Sequence, residues 1–280
     1  MTIPSFNPLG PESTLGPYRV IEPIGSGGMG EVLLARDPRL DRWVAIKRIH
    51  LSSARDERRQ RLLREAKLAA SLKHEAIVQV YDLLTIDDVD HIVMEYVDGE
   101  SLNARLLRQP PLEFGEKLRI AAAIAQGLAY AHRHGVIHRD LKTENVLVDE
   151  EGRVKIVDFG IARRATPDET EESLTRTGAL LGTVRAMSPE QARGDTADER
   201  SDLFSFGVLI YELFVEASPF ASGNPLQTIQ KIIGQPHSSA TSINPDLPEA
   251  LGTLIDHLLE KAPENRPENA EAVARLLSPW

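Results

Sequence analysis

The segment VIHRDLKTEN, residues 136–145, places Asp140 two residues before Lys142 and five before Asn145. Asp140 lacks the apolar context of a core residue, so its carboxylate is free to orient an attacking hydroxyl and accept its proton. Lys142 can stabilise charge on a phosphoryl group in transfer. The next stretch, NVLVDEEGRVKIVD, reads as a hairpin turning at Asp149 to Gly152. Its two ends, Asn145 and Asp158, then lie side by side. An amide oxygen and a carboxylate brought together in this way are hard ligands suited to Mg2+. Taken singly, each of these residues is as readily a turn or capping residue. Their joint order and spacing is what argues for chemistry.

Two upstream features supply what a phosphoryl donor needs. Residues 24–32, IGSGGMGEV, carry glycines at 25, 27 and 30, where a backbone without Cβ atoms can approach phosphate oxygens and offer N–H groups. A dinucleotide site would need a helix straight after the glycines, but EVLLAR alternates and leads to another strand. No G-x-x-x-x-G-K-[ST] phosphate loop occurs. The glycines therefore belong to a loop between strands. In WVAIKRI, period-two alternation puts Trp43, Ala45, Lys47 and Ile49 on one side, and a lysine among apolar groups needs an anion. On the following helical segment Glu65 has Leu62, Leu68, Ala69 and Leu72 at i−3, i+3, i+4 and i+7, inside the apolar stripe. Lys47 and Glu65 are expected to pair, which would hold Lys47 ready for the α- and β-phosphates of a nucleotide. The arginines at 55, 58, 59, 61 and 64 read as a solvated face able to meet a phosphorylated loop.

The elements that must position these groups follow from the pattern. Residues 1–17 are rich in Pro, Gly and Ser and read as a loose tail. From Tyr18 to about Ile49 short β-type runs are broken by glycines. A helix over 55–73 and two strands, IVQVYDLL and HIVMEYV, complete a small antiparallel sheet with one helix. After Asp98 the character turns helical: EKLRIAAAIAQGLAYAHRHG is a helix closed by Gly135. Residues 203–215, LFSFGVLIYELFV, contain Glu212 and fall short of the ~20 residues of a membrane span, so they read as a buried helix. The expected class is α+β, with a tail over 1–17, a β-rich lobe over 18–97 and a helical lobe over 98–280. The chain has no cysteine, which excludes disulfides, thiolate zinc sites and thiol nucleophiles and points to a reducing compartment. A net charge of −10 argues against a general nucleic-acid or anionic-membrane binder. The N-terminus has neither the basic region nor the apolar run of a signal peptide.

Together these residues resemble the protein kinase superfamily, and specifically the catalytic domain of bacterial eukaryotic-like serine/threonine kinases, over nearly the whole chain from Tyr18 to Leu277. The matches are Gly25-x-Gly27-x-x-Gly30-x-Val32, Val44-Ala45-Ile46-Lys47, Glu65, His138-Arg139-Asp140-Leu141-Lys142-x-x-Asn145 and Asp158-Phe159-Gly160. Ser188-Pro189-Glu190 stands where the family closes its activation segment, and Asp202 and Gly207 match the start of its central helix. The resemblance implies a bilobal protein-kinase fold, with a small antiparallel β lobe carrying one helix and a larger mainly helical lobe. It implies ATP and Mg2+ (or Mn2+) as cofactors, with Asp140, Lys142, Lys47 and Glu65 as catalytic residues and Asn145 and Asp158 as metal ligands. The nucleotide would be held by Ile24, Gly25, Ser26, Gly27, Gly28, Met29, Gly30, Glu31 and Val32, and by Lys47. Adenine would lie between Val32, Ala45 and Leu147, with Met94 behind it and the backbone of Glu95 and Val97 reading its edge. Glu190 is expected to pair with Arg266.

The implied activity is transfer of the γ-phosphoryl of ATP to Ser/Thr hydroxyls of protein substrates, including the chain itself. The acidic, hydroxyl-rich segment TPDETEESLTRTGALLGT offers Thr175 and Thr177 as phosphosites, with Arg139 as the receiving charge and Thr183 near Asp140 and Lys142. Two residues depart from the family: Ala186 stands where tyrosine is usual, and Thr143 where proline is frequent. The rival readings are a pseudokinase-like nucleotide-binding signalling scaffold and a small-molecule phosphotransferase. The first usually lacks a counterpart of Lys47, Asp140 or Asp158, and the second lacks the activation segment. The expected location is cytoplasmic, with this chain the cytoplasmic domain of a longer membrane-anchored protein as the variant, and the family analogy permits a homodimer through the β lobe.

Overall fold

The computed structural model describes residues 13–27, 30–49, 56–159 and 184–278. They divide into two compact units. One comprises Met1–Ser71 and Gln79–Val97, the other Leu72–Val78 and Asp98–Trp280.

The first unit is a six-stranded antiparallel sheet with one helix. Its strands are β1 (Thr14–Leu15), β2 (Tyr18–Gly27), β3 (Gly30–Asp37), β4 (Arg42–Ile49), β5 (Val80–Ile86) and β6 (Val89–Glu95), in the order β1-β2-β3-β4-β6-β5. One face of the sheet is greasy: Leu33 pairs with Ile46 and Ile46 with Val93, and with Val20, Ala35 and Val44 they form a continuous core. Each of these Leu, Ile and Val side chains, fully buried, stabilises the unit by roughly 1.5–3 kcal/mol. The opposite face carries Val32, Ala45, Lys47 and Met94. The region read as a loose tail contributes to this core. Leu15 of β1 is buried, and Val20 N–H bonds back to the Ser13 carbonyl at 2.9 Å. One buried leucine and one backbone hydrogen bond tie down residues 13–17, while residues 1–12 lie outside the described residues.

Helix α1 (Asp56–Ser71) departs from its expected packing. Ala66 and Ala69 are buried, whereas Leu68 is 50% exposed and Glu65 only half-buried. Of the expected stripe, Ala69 and Leu72 are buried and Leu68 is not, and Ala66 joins the buried face. The run IVQVYDLL is also divided. Only its second half is strand, while Ile77 bridges to Ile156 and Val78 N–H bonds the Ile156 carbonyl, so residues 72–78 belong with the other unit.

That second unit holds α2 (Leu102–Leu107), α3 (Phe114–Arg133), a three-stranded sheet and six further helices among the described residues. The sheet is β7 (Gly99–Ser101), β8 (Val146–Asp149) and β9 (Val154–Ile156), all antiparallel. Helix α3 starts at a capping box between Glu113 and Glu116 and ends where Gly135 takes φ +71°, a conformation glycine reaches without cost. The helices that follow are α4 (Pro189–Arg193), α5 (Glu199–Val215), α6 (Pro225–Gly234), α7 (Ala240–Ile243), α8 (Glu249–Leu258) and α9 (Ala270–Leu277). Helix α5 is buried nearly all round and is the unit's axis. A Cβ on its Gly207 would lie 2.7 Å from Leu258 Cβ, so only glycine lets α8 approach.

Candidate active site

The segment 136–142 has little secondary structure of its own and is hung from α5. Asp202 is fully buried. Its Oδ2 accepts the His138 N–H (2.7 Å) and His132 Nε2 (2.8 Å), and its Oδ1 accepts the Arg139 N–H (2.7 Å). Burial alone would raise this carboxyl's pKa. The donated hydrogen bonds and the nearby His132 and His138 outweigh it and hold the group ionised below the usual range. Arg139 sits at φ +66°, a left-handed conformation that costs a non-glycine residue roughly 1 kcal/mol. It is over-determined from both sides, since its carbonyl accepts Gln191 Nε2 at 2.9 Å.

From this anchor the chain delivers Asp140. Its Oδ2 accepts Lys142 Nζ at 3.0 Å and Asn145 Nδ2 at 3.1 Å, and Asn145 Nδ2 also reaches the Asp140 carbonyl at 2.7 Å. With the amide nitrogen turned to Asp140, Asn145 has its Oδ1 left to serve as an oxygen ligand. The Asn145 carbonyl accepts the Val157 N–H at 3.0 Å, closing the base of the β8–β9 hairpin beside Asp158. Asp158 is itself left-handed, at φ +64°. His138 ties the Asp140 segment to the end of the hairpin. Its Nδ1 accepts the Asp140 N–H (3.3 Å), so Nε2 carries the proton and donates to the Val157 carbonyl (2.9 Å). Its ring also meets the buried Phe159, with centroids 4.7 Å apart. Asp140, Lys142, Asn145 and the entry to Asp158 are thus one hydrogen-bonded assembly. Leu147 lies on β8, partly buried.

The β-rich unit holds the other expected residues. Lys47 is 7% exposed and stands opposite Val32 on one side and Ile92 on the other, while Ala45 stands opposite Met94. Directly opposed residues of an antiparallel pair share a face, so Val32, Ala45, Lys47 and Met94 form one surface, away from the greasy core. Trp43, expected on the same side, lies at the strand end, 46% exposed, with the Arg36 guanidinium 4.8 Å from its ring centroid. It does not help to enclose the lysine. Glu95 spends its N–H on the Gln79 carbonyl (2.9 Å), so what its backbone can offer a ligand is the carbonyl. Val97 follows in the half-buried connection after β6. In the glycine loop, Gly25 pairs with Val32, Ser26 with Glu31 and Gly27 with Gly30, the last at φ +137°. Ile24 is exposed beside them. Gly28, Met29, Gly160, Thr175, Thr177 and Thr183 lie outside the described residues, as do the side chains of Ser26 and Leu62.

Residues 18–278 match the sequence model of the protein kinase domain. The chain belongs to the protein kinase family. It is 39% identical to serine/threonine-protein kinase PrkC of Bacillus subtilis over 91% of this chain and 39% of the relative. It is 39% identical to serine/threonine-protein kinase PknB of Mycolicibacterium smegmatis, over 90% of this chain and 41% of that protein. PknB of Mycobacterium tuberculosis is 38% identical with the same shares. The chain spans about two fifths of the length of these relatives. Protein kinases in general use ATP and a divalent metal ion. No described helix of this kinase domain is long and apolar enough to cross a membrane.

The pairing expected of Glu190 and Arg266 is present. Arg266 Nη1 meets Oε1 at 2.8 Å and Nη2 meets Oε2 at 3.0 Å, a two-pronged ion pair that also draws in the Ser201 hydroxyl at 2.6 Å. Burial would raise the Glu190 pKa, but the Arg266 and Ser201 hydrogen bonds and the Arg266 charge bring it down to about 2. Sequence reasoning missed three members of this kinase scaffold: His132, Gln191 and Ser201. Only His132 carried a signal. It continues the apolar stripe Ala121, Ala125 and Leu128 of α3, and a polar residue in such a stripe requires a partner. Of the two departures from the family, Ala186 is buried with its carbonyl held by Ser205 Oγ at 2.7 Å, and Thr143 is buried in the turn before Asn145. Thr143 faces Glu212 of α5, whose carboxyl is pushed up to about 7 by burial and by the Glu144 charge.

Proposed function

We propose that this chain is an ATP- and Mg2+-dependent protein kinase that transfers the γ-phosphoryl group to serine and threonine hydroxyls of protein substrates, itself included. The observation that carries the reading is Asp140, a carboxylate with one oxygen tied by Lys142 and Asn145 on a loop suspended from Asp202. A base held this firmly has its geometry settled before substrate arrives. The substrate hydroxyl donates to Asp140 and yields its proton there as the new O–P bond forms and the bond from the γ-phosphorus to the β,γ-bridging oxygen breaks, releasing ADP. Lys142, beside that carboxylate, balances charge on the phosphoryl in flight. Asn145 Oδ1 and Asp158 are hard oxygen donors that fit Mg2+. Asn145 and Asp158 would hold the ion, which would supply positive charge to offset that of the phosphates.

In this reading the lobe expected over 18–97 supplies the nucleotide contacts, and residues 98–280 supply catalysis and substrate binding. Lys47, supported by Glu65, holds the α- and β-phosphates, and the backbone of residues 24–32 covers them. Val32, Ala45, Met94 and Leu147 line the adenine, and the backbone of Glu95 and Val97 reads it. The relatives' names as serine/threonine kinases support the choice of acceptor. The deciding experiment compares wild type with Asp140→Asn for transfer of label from γ-labelled ATP to a Ser/Thr peptide. Transfer is expected to fall roughly 10²- to 10⁴-fold with nucleotide affinity kept; undiminished transfer sinks the reading. Autophosphorylation in trans at Thr175 or Thr177, received by Arg139, is the proposed activating step. A double alanine variant with full peptide activity would remove it.

A further inference from the structure

The backbone at Arg139 is gripped on its two sides by side chains from different helices. Upstream of its Cα, Asp202 of α5 accepts the His138 and Arg139 N–H groups, both at 2.7 Å. These bonds hold the 138–139 peptide, but rotation about the two bonds of the Arg139 Cα still turns the next peptide, which carries Asp140. Downstream, Gln191 Nε2 of α4 donates to the Arg139 carbonyl at 2.9 Å. The other bond on that peptide, from Asp140 N–H to His138 Nδ1, is long at 3.3 Å. The Gln191 amide has its orientation set by its surroundings. Oε1 accepts the Ser188 N–H at 3.0 Å, which leaves the nitrogen facing the carbonyl; a flipped amide would oppose donor to donor and oxygen to oxygen. The neighbouring Glu190 is fastened to Arg266. Gln191 thus reaches Arg139 from a helix that is itself held in place.

We propose that Gln191 is a positioning residue for phosphoryl transfer, which sets the plane of the Arg139–Asp140 peptide and makes the aim of the Asp140 carboxylate depend on α4 being seated. The inference rests on the reading of Asp140 as the base. Arg139 is held at φ +66°, where a non-glycine residue is strained, and strained backbone relaxes when one of its ties is cut. Without the Gln191 bond the peptide turns and carries Asp140 off its line. Lys142 and Asn145 do not prevent this, since both bond the moving Oδ2 from positions two and five residues further along the same loop. A displacement of ~1 Å at reacting groups lowers a rate by about 10²-fold. The competing account is local: Ser188 and Gln191 form the capping box of α4, which would make Gln191 a part of that helix alone. A glutamate at this position separates the two accounts. Its carboxylate still accepts the Ser188 N–H and keeps the capping box, but it sets an oxygen against the Arg139 carbonyl.

The test compares wild type, Gln191→Glu and Gln191→Met for steady-state transfer to a Ser/Thr peptide at pH 8 and pH 5, and for amide hydrogen exchange with no nucleotide present. At pH 8 Gln191→Glu should lower kcat roughly ten- to hundredfold, with KM for ATP and peptide within about twofold of wild type and the unfolding midpoint unchanged. Its kcat relative to wild type should climb as pH falls, because a protonated carboxyl carries an O–H that donates to the carbonyl. Gln191→Met cannot donate at any pH and should show the fall without the recovery. In Gln191→Glu, exchange at the Arg139 and Asp140 amides should quicken about tenfold, while the α4 amides keep the wild-type rate. Wild-type kcat in Gln191→Glu at pH 8, a fall of equal size at both pH values, or a change confined to KM overturns the proposal. The exchange measurement keeps two failures apart. A wild type that transfers no phosphate defeats the kinase reading, whereas unaltered exchange at Arg139 and Asp140 defeats the role given to Gln191.

Discussion

Glu190 and Glu212 stand twenty-two positions apart in the same helical unit, both largely removed from water, yet one is driven down to about 2 and the other up to about 7. Burial pushes both in the same direction, so it cannot be what separates them. Glu190 meets the fork of Arg266 and the Ser201 hydroxyl, whereas Glu212 meets a second carboxylate, Glu144, with Arg185 as the nearby opposing charge. The first arrangement is a fixed anchor below the catalytic loop. The second stores unfavourable charge directly behind Thr143, two positions before Asn145. The sign of a buried carboxyl's shift is set by its partners.

The largest break in that comparison is to turn Glu190 into an unpartnered anion. Arg266→Met should cost roughly 3–5 kcal/mol, because it leaves a buried carboxylate uncompensated. That corresponds to a fall of roughly 10 °C in Tm, measurable by scanning calorimetry. Next in size is the acid limb of wild-type stability. Glu190 has a folded pKa of about 2 against 4.5 unfolded, so its contribution is complete above the unfolded value and is lost as pH falls from ~4.5 towards ~2. The loss is about 3 kcal/mol, on the scale of 1.36 per pKa unit. Urea titrations at pH 7, 4 and 3 should show this fall in wild type, and Glu190→Gln should flatten it.

The same contrast marks how far the site was legible. Asp140, Lys142 and Asn145 could be read because three bonded partners lie within six positions and a hairpin brings Asp158 back to them. Glu190 and Arg266 are 76 residues apart, and nothing local in either marks the other. Their pairing was expected from family resemblance alone. Gln191 reaches the Arg139 carbonyl across 52 residues and went unnoticed for the same reason. Leu68 was misplaced because periodicity reports which residues share a stripe, and what the neighbouring element covers decides which stripe is buried. In α1 the covered side includes Ala66 and Ala69 and leaves Leu68 out. Residues 72–78 joined the helical unit through backbone bonds to Ala76 and Val78, which side-chain pattern does not report.

Glu212 yields the smaller effects, with the opposite sign. Its folded pKa of about 7 lies above the unfolded 4.5, so between those values the native state binds the extra proton. Stability therefore falls as pH rises from ~4.5 to ~7 and stays low beyond, by roughly 1–3 kcal/mol. Glu212→Gln should remove that fall and make the protein more stable than wild type at pH 8 by the same amount, with little difference at pH 5. Glu144→Gln sharpens the contrast further. Glu144 is exposed, so removing its charge should recover only part of the gain, under about 1 kcal/mol. Equal stabilisation by the two variants at pH 8 would mean that the facing carboxylate, rather than burial, dominates at Glu212. No stabilisation by either would mean that Arg185 already compensates the pair.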